Sequence, residues 1–542
     1  MVGEQAEEQA EEARDEATDG TVDGTTGMVA TADRLATTAG IQLLRAGGTA
    51  VDAAVGAAAV LAVTAPHLCG MGGDLFALVH EPGEPVAALT AAGRAGSGAD
   101  ALQMRVEGFD RMPQQGDIRA VTVPGCVDGW LELHRRYGRL PLSQVFEPAV
   151  TYAAAGFPAS PLLAASVGAV IHLRGAHDFR EPAMAEGGRL HAGTLIRRPG
   201  VAMALNAIAA TGRAGFYQGT FGDGLIALGN GLFNRGDLAR VQAVWSEPLH
   251  VTAWGYDLWA PPPPSQAYLT LAGAAVASQL DLPQDPDDPA WPHLLSEAAR
   301  QVGRDRPAVL HDGADGEALL APDRLAERRA AIDPERRGTT PLPAAAGDTT
   351  ALCTADRQGM AVSLVQSNAS GWGVGIVEPD TGIFLHSRGL GFSLESGHPA
   401  ELQPGRRPPH TLSPLVATRP GGELRAVFGT MGGDSQPQIL LQVLARLVHN
   451  GATPGRAVGG PRWRLGVGGF TTWDDPGPEI LAVEEDAPYG WAAGLAERGH
   501  QVSRSTVAPD HGFGHAQVIA VEDGALRGAA DPRAVIGAAI GY

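Results

Sequence analysis

Asp348-Thr349-Thr350 stands at the head of a strand, turn and strand pattern, with a long C-terminal stretch still to follow. A break in the backbone before Thr349 would leave a free α-amine on a residue that already carries a hydroxyl. One residue would then hold both a nucleophile and the base that activates it, since such an amine has a reference pKa of about 7.7–8.0. That is the chemistry of a self-processing hydrolase, and it needs no triad. A threonine pair at a strand edge is ordinarily structural, because β-branched residues suit pleated surfaces, so the surroundings have to carry the reading.

Ala351-Leu352-Cys353-Thr354-Ala355, the turn signal Asp356-Arg357-Gln358-Gly359 and the run from Met360 to Ser367 together predict a β-hairpin with Thr349 at its head. Further on, Phe428-Gly429-Thr430-Met431-Gly432-Gly433-Asp434-Ser435-Gln436-Pro437 reads as a strand, a glycine turn and a helix start. Two amide N–H groups at such a turn can aim at a developing oxyanion. The helix predicted over Gln438–His449 gathers Ile439, Leu440, Val443, Leu444 and Leu447 on one face and stops at Asn450-Gly451. Its positive dipole end then lies against the glycine turn.

In this order these residues resemble the γ-glutamyltransferase family of N-terminal-nucleophile (Ntn) hydrolases, over the chain from about Met28 onward. The resemblance also rests on Leu43-Leu44-Arg45-Ala46-Gly47-Gly48-Thr49-Ala50-Val51-Asp52-Ala53-Ala54, Gly70-Met71-Gly72-Gly73-Asp74, Gly93-Arg94-Ala95, Val123-Pro124-Gly125-Cys126-Val127-Asp128-Gly129-Trp130 and Pro409-His410-Thr411-Leu412-Ser413-Pro414. Several ordered blocks are far more specific than any one of them. The resemblance implies a four-layer α/β fold, an αββα sandwich, made as a precursor that cuts itself between Asp348 and Thr349. Residues 1–28 would be a disordered acidic tail, 29–348 the large subunit and 349–542 the small one, the two fragments staying associated. It implies also that Thr349 attacks an amide-like carbonyl, that Gly432 and Gly433 hold the oxyanion, and that Arg94 binds a substrate carboxylate. Ser367 takes the place of a second threonine that steers the nucleophile.

The departures bear on the substrate. The position whose aspartate binds the α-ammonium of a γ-glutamyl group falls on Gly391, and Arg388 nearby replaces an uncharged amide or a carboxylate. A family asparagine falls on Ala369, with Asn368 beside it as a substitute, and a serine pair becomes His410-Thr411. With Arg94 and Arg388 both expected at the acyl pocket, the substrate is expected to carry a carboxylate and to be more anionic than a glutamyl amide. The pattern is similar to the branch that includes oxamate amidohydrolase. Two readings with the same nucleophile stay open: true glutathione hydrolysis or transpeptidation, and cleavage of a carbon–carbon bond next to a carboxylate, as reported for relatives in alkylproline pathways. A third reading, from another class, is an uncleaved scaffold.

Composition narrows the classes further. The net charge is −20, and the first nineteen residues hold eight acids against Arg14 alone, so the body is only moderately acidic. No basic stripe with interleaved aromatics appears, and an acidic protein repels phosphates, so a nucleic-acid role is excluded. All forty basic residues are arginine, which removes a lysine nucleophile or Schiff base. Apolar content of 44% against 18% charged residues supplies a substantial core. The stretch from Glu4 to Gly24 lacks the apolar residues to order itself and has no apolar core of a secretory signal, so a cytoplasmic location is expected. Ala53–Ala65 is too short to span a bilayer and reads as a buried helix, so no membrane association is expected. Homo-oligomerisation is left open.

The remaining motifs have plainer readings. Cys69, Cys126 and Cys353 are odd in number and widely spaced, as in buried structural thiols. Cys353 shares a strand face with Thr349 by alternation. His511-Gly512-Phe513-Gly514-His515 lacks zincin spacing and a third ligand, and Gly70-Met71-Gly72-Gly73-Asp74 lacks the Rossmann and P-loop patterns, so no metal, nucleotide or other cofactor is expected. Pro261-Pro262-Pro263-Pro264-Ser265-Gln266-Ala267-Tyr268 reads as a rigid wall of the site rather than a polyproline ligand. His410 divides between substrate contact and structural hydrogen bonding.

Overall fold

The turn signal at Asp356–Gly359 does close a hairpin. Asp356 accepts hydrogen bonds from the backbone of Gln358 at 2.9 Å and Met360 at 3.2 Å, and Gly359 takes φ +85°. The strands it joins, Asp348–Ala355 and Ala361–Ala369, form the middle of a seven-stranded sheet. This is a computed structural model that describes residues 19–339, 348–466, 479–505 and 513–542.

That sheet runs from edge to edge through Ala538–Gly541, Met28–Thr31, Asp348–Ala355, Ala361–Ala369, Asp74–His80, Ala87–Ala91 and Ala243–Ser246. A second seven-stranded sheet runs through Val22–Gly24, Ala525–Ala530, Ala516–Glu522, Leu424–Thr430, Leu415–Thr418, Tyr256–Ala260 and Leu249–Ala253. All pairings within the two are antiparallel. In the first sheet, Met28–Thr31 is held between Asp348–Ala355 and Ala538–Gly541, so chain from before Asp348 is interleaved with chain from after it.

Three apolar layers follow from this stacking. Small residues such as Ala30, Ala88, Cys353, Ala361 and Val427 fill the space between the sheets. Outside the first sheet lies the helix Ala50–Thr64, entered through a capping box of Thr49 and Asp52; all fifteen residues are buried. Its alanines and glycine let it sit close to its neighbours, for a Cβ on Gly56 would come within 2.2 Å of Leu43 Cδ1. Outside the second sheet, Tyr268–Ala277, Ala290–Gly303 and Gln436–Val448 form the fourth layer around Trp291, Leu295 and Leu444. The expected αββα sandwich is therefore the observed architecture.

Two expectations are corrected. The tail expected over 1–28 is already strand at Val22–Gly24, paired with Leu526–Gly528, and the Asp19 carboxylate accepts from Thr21 and Thr453. Thr21 and Val22 are adjacent β-branched residues, which suit a strand; residues 1–18 lie outside the described ones. The buried helix expected over 53–65 begins three residues earlier, at Ala50, because Thr49 caps it. No helix among the described residues is long and apolar enough to cross a membrane.

Candidate active site

Thr349 sits at a bulge. Pairing passes from Asp348 opposite Ala369 to Thr350 opposite Gln366, so Thr349 alone faces Ser367 and Asn368. Ala369 takes the left-handed φ of +78°, unfavourable for a residue with a Cβ and a mark of backbone held by its surroundings. The fully buried Thr349 hydroxyl donates to Ser367 Oγ at 3.2 Å and accepts from Gln436 Nε2 at 3.3 Å. Ser367 Oγ also accepts from the Ala369 amide at 2.8 Å and from Arg388 Nη2 at 3.2 Å. A cation thus stands one hydroxyl behind the Thr349 side chain.

Arg388 is buried, and its other printed partner is again a hydroxyl, Thr411 Oγ1 at 2.9 Å. Its Nε has no partner. No carboxylate among the described residues forms an ion pair with it. Burial pushes its pKa down to about 10, opposed by the more distant Asp74 and Asp434, which leaves it charged at neutral pH. Below it lies Asp74, whose Oδ1 accepts from the Gly93 and Gly125 amides, both at 3.0 Å, and whose Oδ2 accepts from His410 Nε2 at 3.1 Å. Burial would raise Asp74, but His386, His410 and Arg388 outweigh it and hold the carboxyl at about 2. Burial, with Arg388 beside it, pushes His410 down to about 3, so the ring is neutral. Its Nδ1 accepts from the Leu412 amide at 3.3 Å, which fixes the proton on Nε2.

The glycine turn is built as the sequence predicts. Gly432 takes φ +136° and Gly433 φ +52°, and a Cβ on Gly432 would meet Ile439 Cδ1 at 2.6 Å. Neither amide is taken by a partner among the described residues, and the helix Gln436–Val448 follows after a short 3₁₀ turn. Gln266 fixes this turn from the proline-rich wall: its Nε2 donates to Gly433 O at 3.0 Å and Thr411 O at 3.1 Å, while its Oε1 accepts from Arg306 Nε at 3.0 Å. His410 N donates to Pro264 O at 2.8 Å. The proline run is thus part of the site's frame.

A cavity of about 460 Å³ opens beside this network, lined at its polar end by Arg388, Thr411, Asp434, Ser387 and Arg306. Of the five residues expected to bind substrate, Arg388 and Thr411 line it. His410 does not, because both ring nitrogens are committed to Asp74 and Leu412 and the ring packs on Phe76. Asn368 is turned away: its Nδ2 donates to Pro66 O at 3.0 Å and its backbone N to Leu68 O at 3.0 Å. Arg94 is not in that wall either. Burial and the neighbouring Arg407 and Arg240 lower its pKa to about 10, and its Nε and Nη1 have no partner. Spacing placed these three in the right blocks but could not tell which way their side chains point.

Sequence reasoning missed Gln436, Gln266 and the buried Asp74–His410 pair. Gln436 was within reach, since it opens the helix three residues after Gly433, but its target is fixed only when the two sheets stack. Cys353 does face the second sheet, as alternation predicts, with its thiol 3.5 Å from Val427 O and pushed up by burial. His511 lies outside the described residues. One group of ligand type exists among those described: His293, Glu297 and His500. The two rings bond each other directly at 2.8 Å, Arg300 Nε donates to Glu297 Oε1 at 3.0 Å, and His500 Nδ1 is without a partner.

Comparison with known proteins fits this geometry. The family model described as gamma-glutamyltranspeptidase matches residues 36–541. The oxamate amidohydrolase proenzyme of Klebsiella pneumoniae is 34% identical, covering 95% of this chain and 98% of the relative. The glutathione hydrolase-like YwrD proenzyme of Bacillus subtilis is also 34% identical, with the same coverage. The crystal structure of a cephalosporin acylase from Bacillus halodurans superposes with a TM-score of 0.86 at 32% identity, covering 96% of this chain and 97% of the other.

Proposed function

The chain belongs to the gamma-glutamyltranspeptidase family, and on that premise we propose that it is a self-processing hydrolase that cleaves amides of small carboxylic acids through an ester on Thr349. The observation that carries this reading is the Thr349 hydroxyl held between Gln436 and Ser367, with the charged Arg388 behind and no carboxylate among the described residues paired to it.

In the first event Oγ1 of Thr349 adds to the Asp348 carbonyl carbon, the Asp348–Thr349 C–N bond breaks, and the nitrogen takes the hydroxyl proton. Water then opens the resulting ester, leaving a carboxylate on Asp348 and a free amine on Thr349. The mature cycle repeats this on a substrate. The amine accepts the Oγ1 proton as the hydroxyl attacks, the amides of Gly432 and Gly433 hold the oxyanion, and the proton passes to the departing substrate nitrogen. Water releases the acid. The fragments 29–348 and 349–542 stay together because their strands alternate in one sheet.

Arg388 supplies the charge for the substrate carboxylate, with Thr411 beside it. Gly391 offers nothing to an α-ammonium, which favours a plain acid over a γ-glutamyl group, in line with the oxamate amidohydrolase relative. Asp434 supports a second reading: it lines the cavity and could take an ammonium in place of Arg306, which it now meets at 3.3 Å. Release from a γ-glutamyl anilide that accelerates with glycylglycine would establish that second reading.

Intact-protein mass spectrometry of wild type beside Thr349→Ala tests the nucleophile. Two fragments, the smaller beginning at Thr349 and seen only in wild type, are expected; one uncut chain in both would leave a scaffold. In the mature enzyme kcat/KM should climb with pH as the amine loses its proton. The Arg388 charge should put the midpoint below the reference of about 7.7–8.0, which a pH–rate profile reads directly.

A further inference from the structure

We propose that His293, Glu297 and His500 form a zinc site that pins the chain before Asp348 to the chain after it. The proposal stands apart from the reading of Thr349, since none of the three residues lines the cavity beside Arg388. All three are buried, and each brings one ligand atom into a group whose members lie within 4.8 Å of one another. Two imidazoles and a carboxylate are a donor set that suits zinc.

His293 and Glu297 stand one helical turn apart on Ala290–Gly303, so a single face presents both. His500 comes from the turn between the helix Tyr489–Glu497 and the strand Val502–Ser505, where its amide donates to Leu495 O at 3.0 Å. His293 Nδ1 and His500 Nε2 are 2.8 Å apart, and Glu297 Oε1 is 3.8 Å from His500 Nε2. Ligand atoms on a tetrahedral zinc are about 3.3–3.4 Å from one another, a value between those two separations. Shifts of about half an ångström would admit the ion.

The surroundings prepare the ligands. His293 Nε2 donates to Asp333 O at 3.0 Å, which leaves Nδ1 with a bare lone pair facing His500. Glu297 is oriented at both oxygens, Oε1 accepting from Arg300 Nε and Oε2 from the Gly338 amide, each at 3.0 Å. Burial lowers the pKa of both rings, so neither has to shed a proton to bind. Without an ion, His500 Nε2 gives its proton to His293 and its buried Nδ1 has no partner; with zinc on Nε2, that idle Nδ1 carries the ring proton. Arg300 and Arg337 are matched by Glu297 and Glu479, so the nearest charges balance before the ion enters. Because the same ligands hold Asp333 and Gly338, the ion would fasten that stretch to His500.

Wild-type protein stripped with a chelator and then given zinc alone tests this. After gel filtration it should retain about one zinc per chain by elemental analysis, and its unfolding temperature should rise by about 3 °C or more. Cobalt in place of zinc should give the visible absorption bands of a tetrahedral site. His500→Gln and, separately, His293→Gln should lose both the retained metal and the rise. Zinc kept by these folded variants at the wild-type level would put the ion elsewhere and overturn the proposal, as would wild type that keeps none. Should neither variant fold, the cobalt spectrum of wild type decides, an octahedral one overturning the assignment.

Discussion

Arg388 and Arg462 are both buried guanidinium groups in the same half of the chain, and they are treated in opposite ways. Arg462 donates to Asp531 Oδ2 at 2.5 Å, Val458 O at 2.7 Å and Phe513 O at 2.5 Å, and Asp531 in turn meets Arg533 at 3.1 Å. Arg388 has two hydroxyls and an idle Nε. A buried charge left without its counter-ion costs several kcal/mol or shifts its pKa. The first cluster pairs its charge with a carboxylate and with carbonyl oxygens, although Arg462 Nε too is without a partner. The second has the shape of a site that an anion completes, with Asp74 supplying only partial compensation from below.

The contrast predicts opposite phenotypes. Arg462→Gln should cost about 3 kcal/mol of stability, because it removes one of the two guanidinium partners of the buried Asp531 carboxylate and the donors that serve Val458 O and Phe513 O; denaturant unfolding reads this, and kcat/KM of the surviving folded protein should be near wild type. Arg388→Gln should lower kcat/KM for anionic amides by about 10²- to 10³-fold, as loss of one partner in a buried charge pair does, with the unfolding midpoint little changed or raised. If Arg388→Gln instead unfolded the protein and spared turnover, the distinction would collapse. Ser367→Ala, which removes the hydroxyl between cation and nucleophile, should cost about 1–3 kcal/mol in activation free energy, and Ser367→Thr should recover most of it.

The smallest effect concerns acid stability, to which neither arginine contributes. Burial, with His293 next to it, holds His500 at about 3 in the folded state, against an ordinary value of about 6.5. The unfolded chain therefore binds the extra proton first, and stability should fall as pH drops below about 6.5 and go on falling toward 3. Thermal unfolding of wild type and His500→Gln at pH 7 and pH 5 should show a shallower acid loss in the variant.

Much of this was legible in the chain. Local features read well: the Asp356–Gly359 turn, the buried helix after Thr49, the glycine turn and the residue at the head of the hairpin all follow from short-range chemistry. What failed to read was direction. Arg94 and Arg388 are both expected at the acyl pocket, and of the two only Arg388 lines the cavity of about 460 Å³, because whether a guanidinium faces a cavity depends on strands far apart in sequence. Gln436 lay in a segment already singled out, but its contact with Thr349 spans 87 positions and exists only once the sheets pack. His410 was balanced between two roles until Asp74, 336 positions away, claimed its Nε2.

The interleaving of Met28–Thr31 between Asp348–Ala355 and Ala538–Gly541 has a consequence for how such a protein can be made. Each portion of the chain alone carries strands whose hydrogen-bonding neighbours belong to the other portion, so each would present raw sheet edges to solvent and to its own copies. Supplied as two separate polypeptides, the halves would have to find each other and thread alternate places in one ladder before either could hide those edges. The single uncut chain, which sets the register while the strands are still tethered, would act as its own assembly jig, and the proposed cut at Asp348–Thr349 would come only after the jig had done its task.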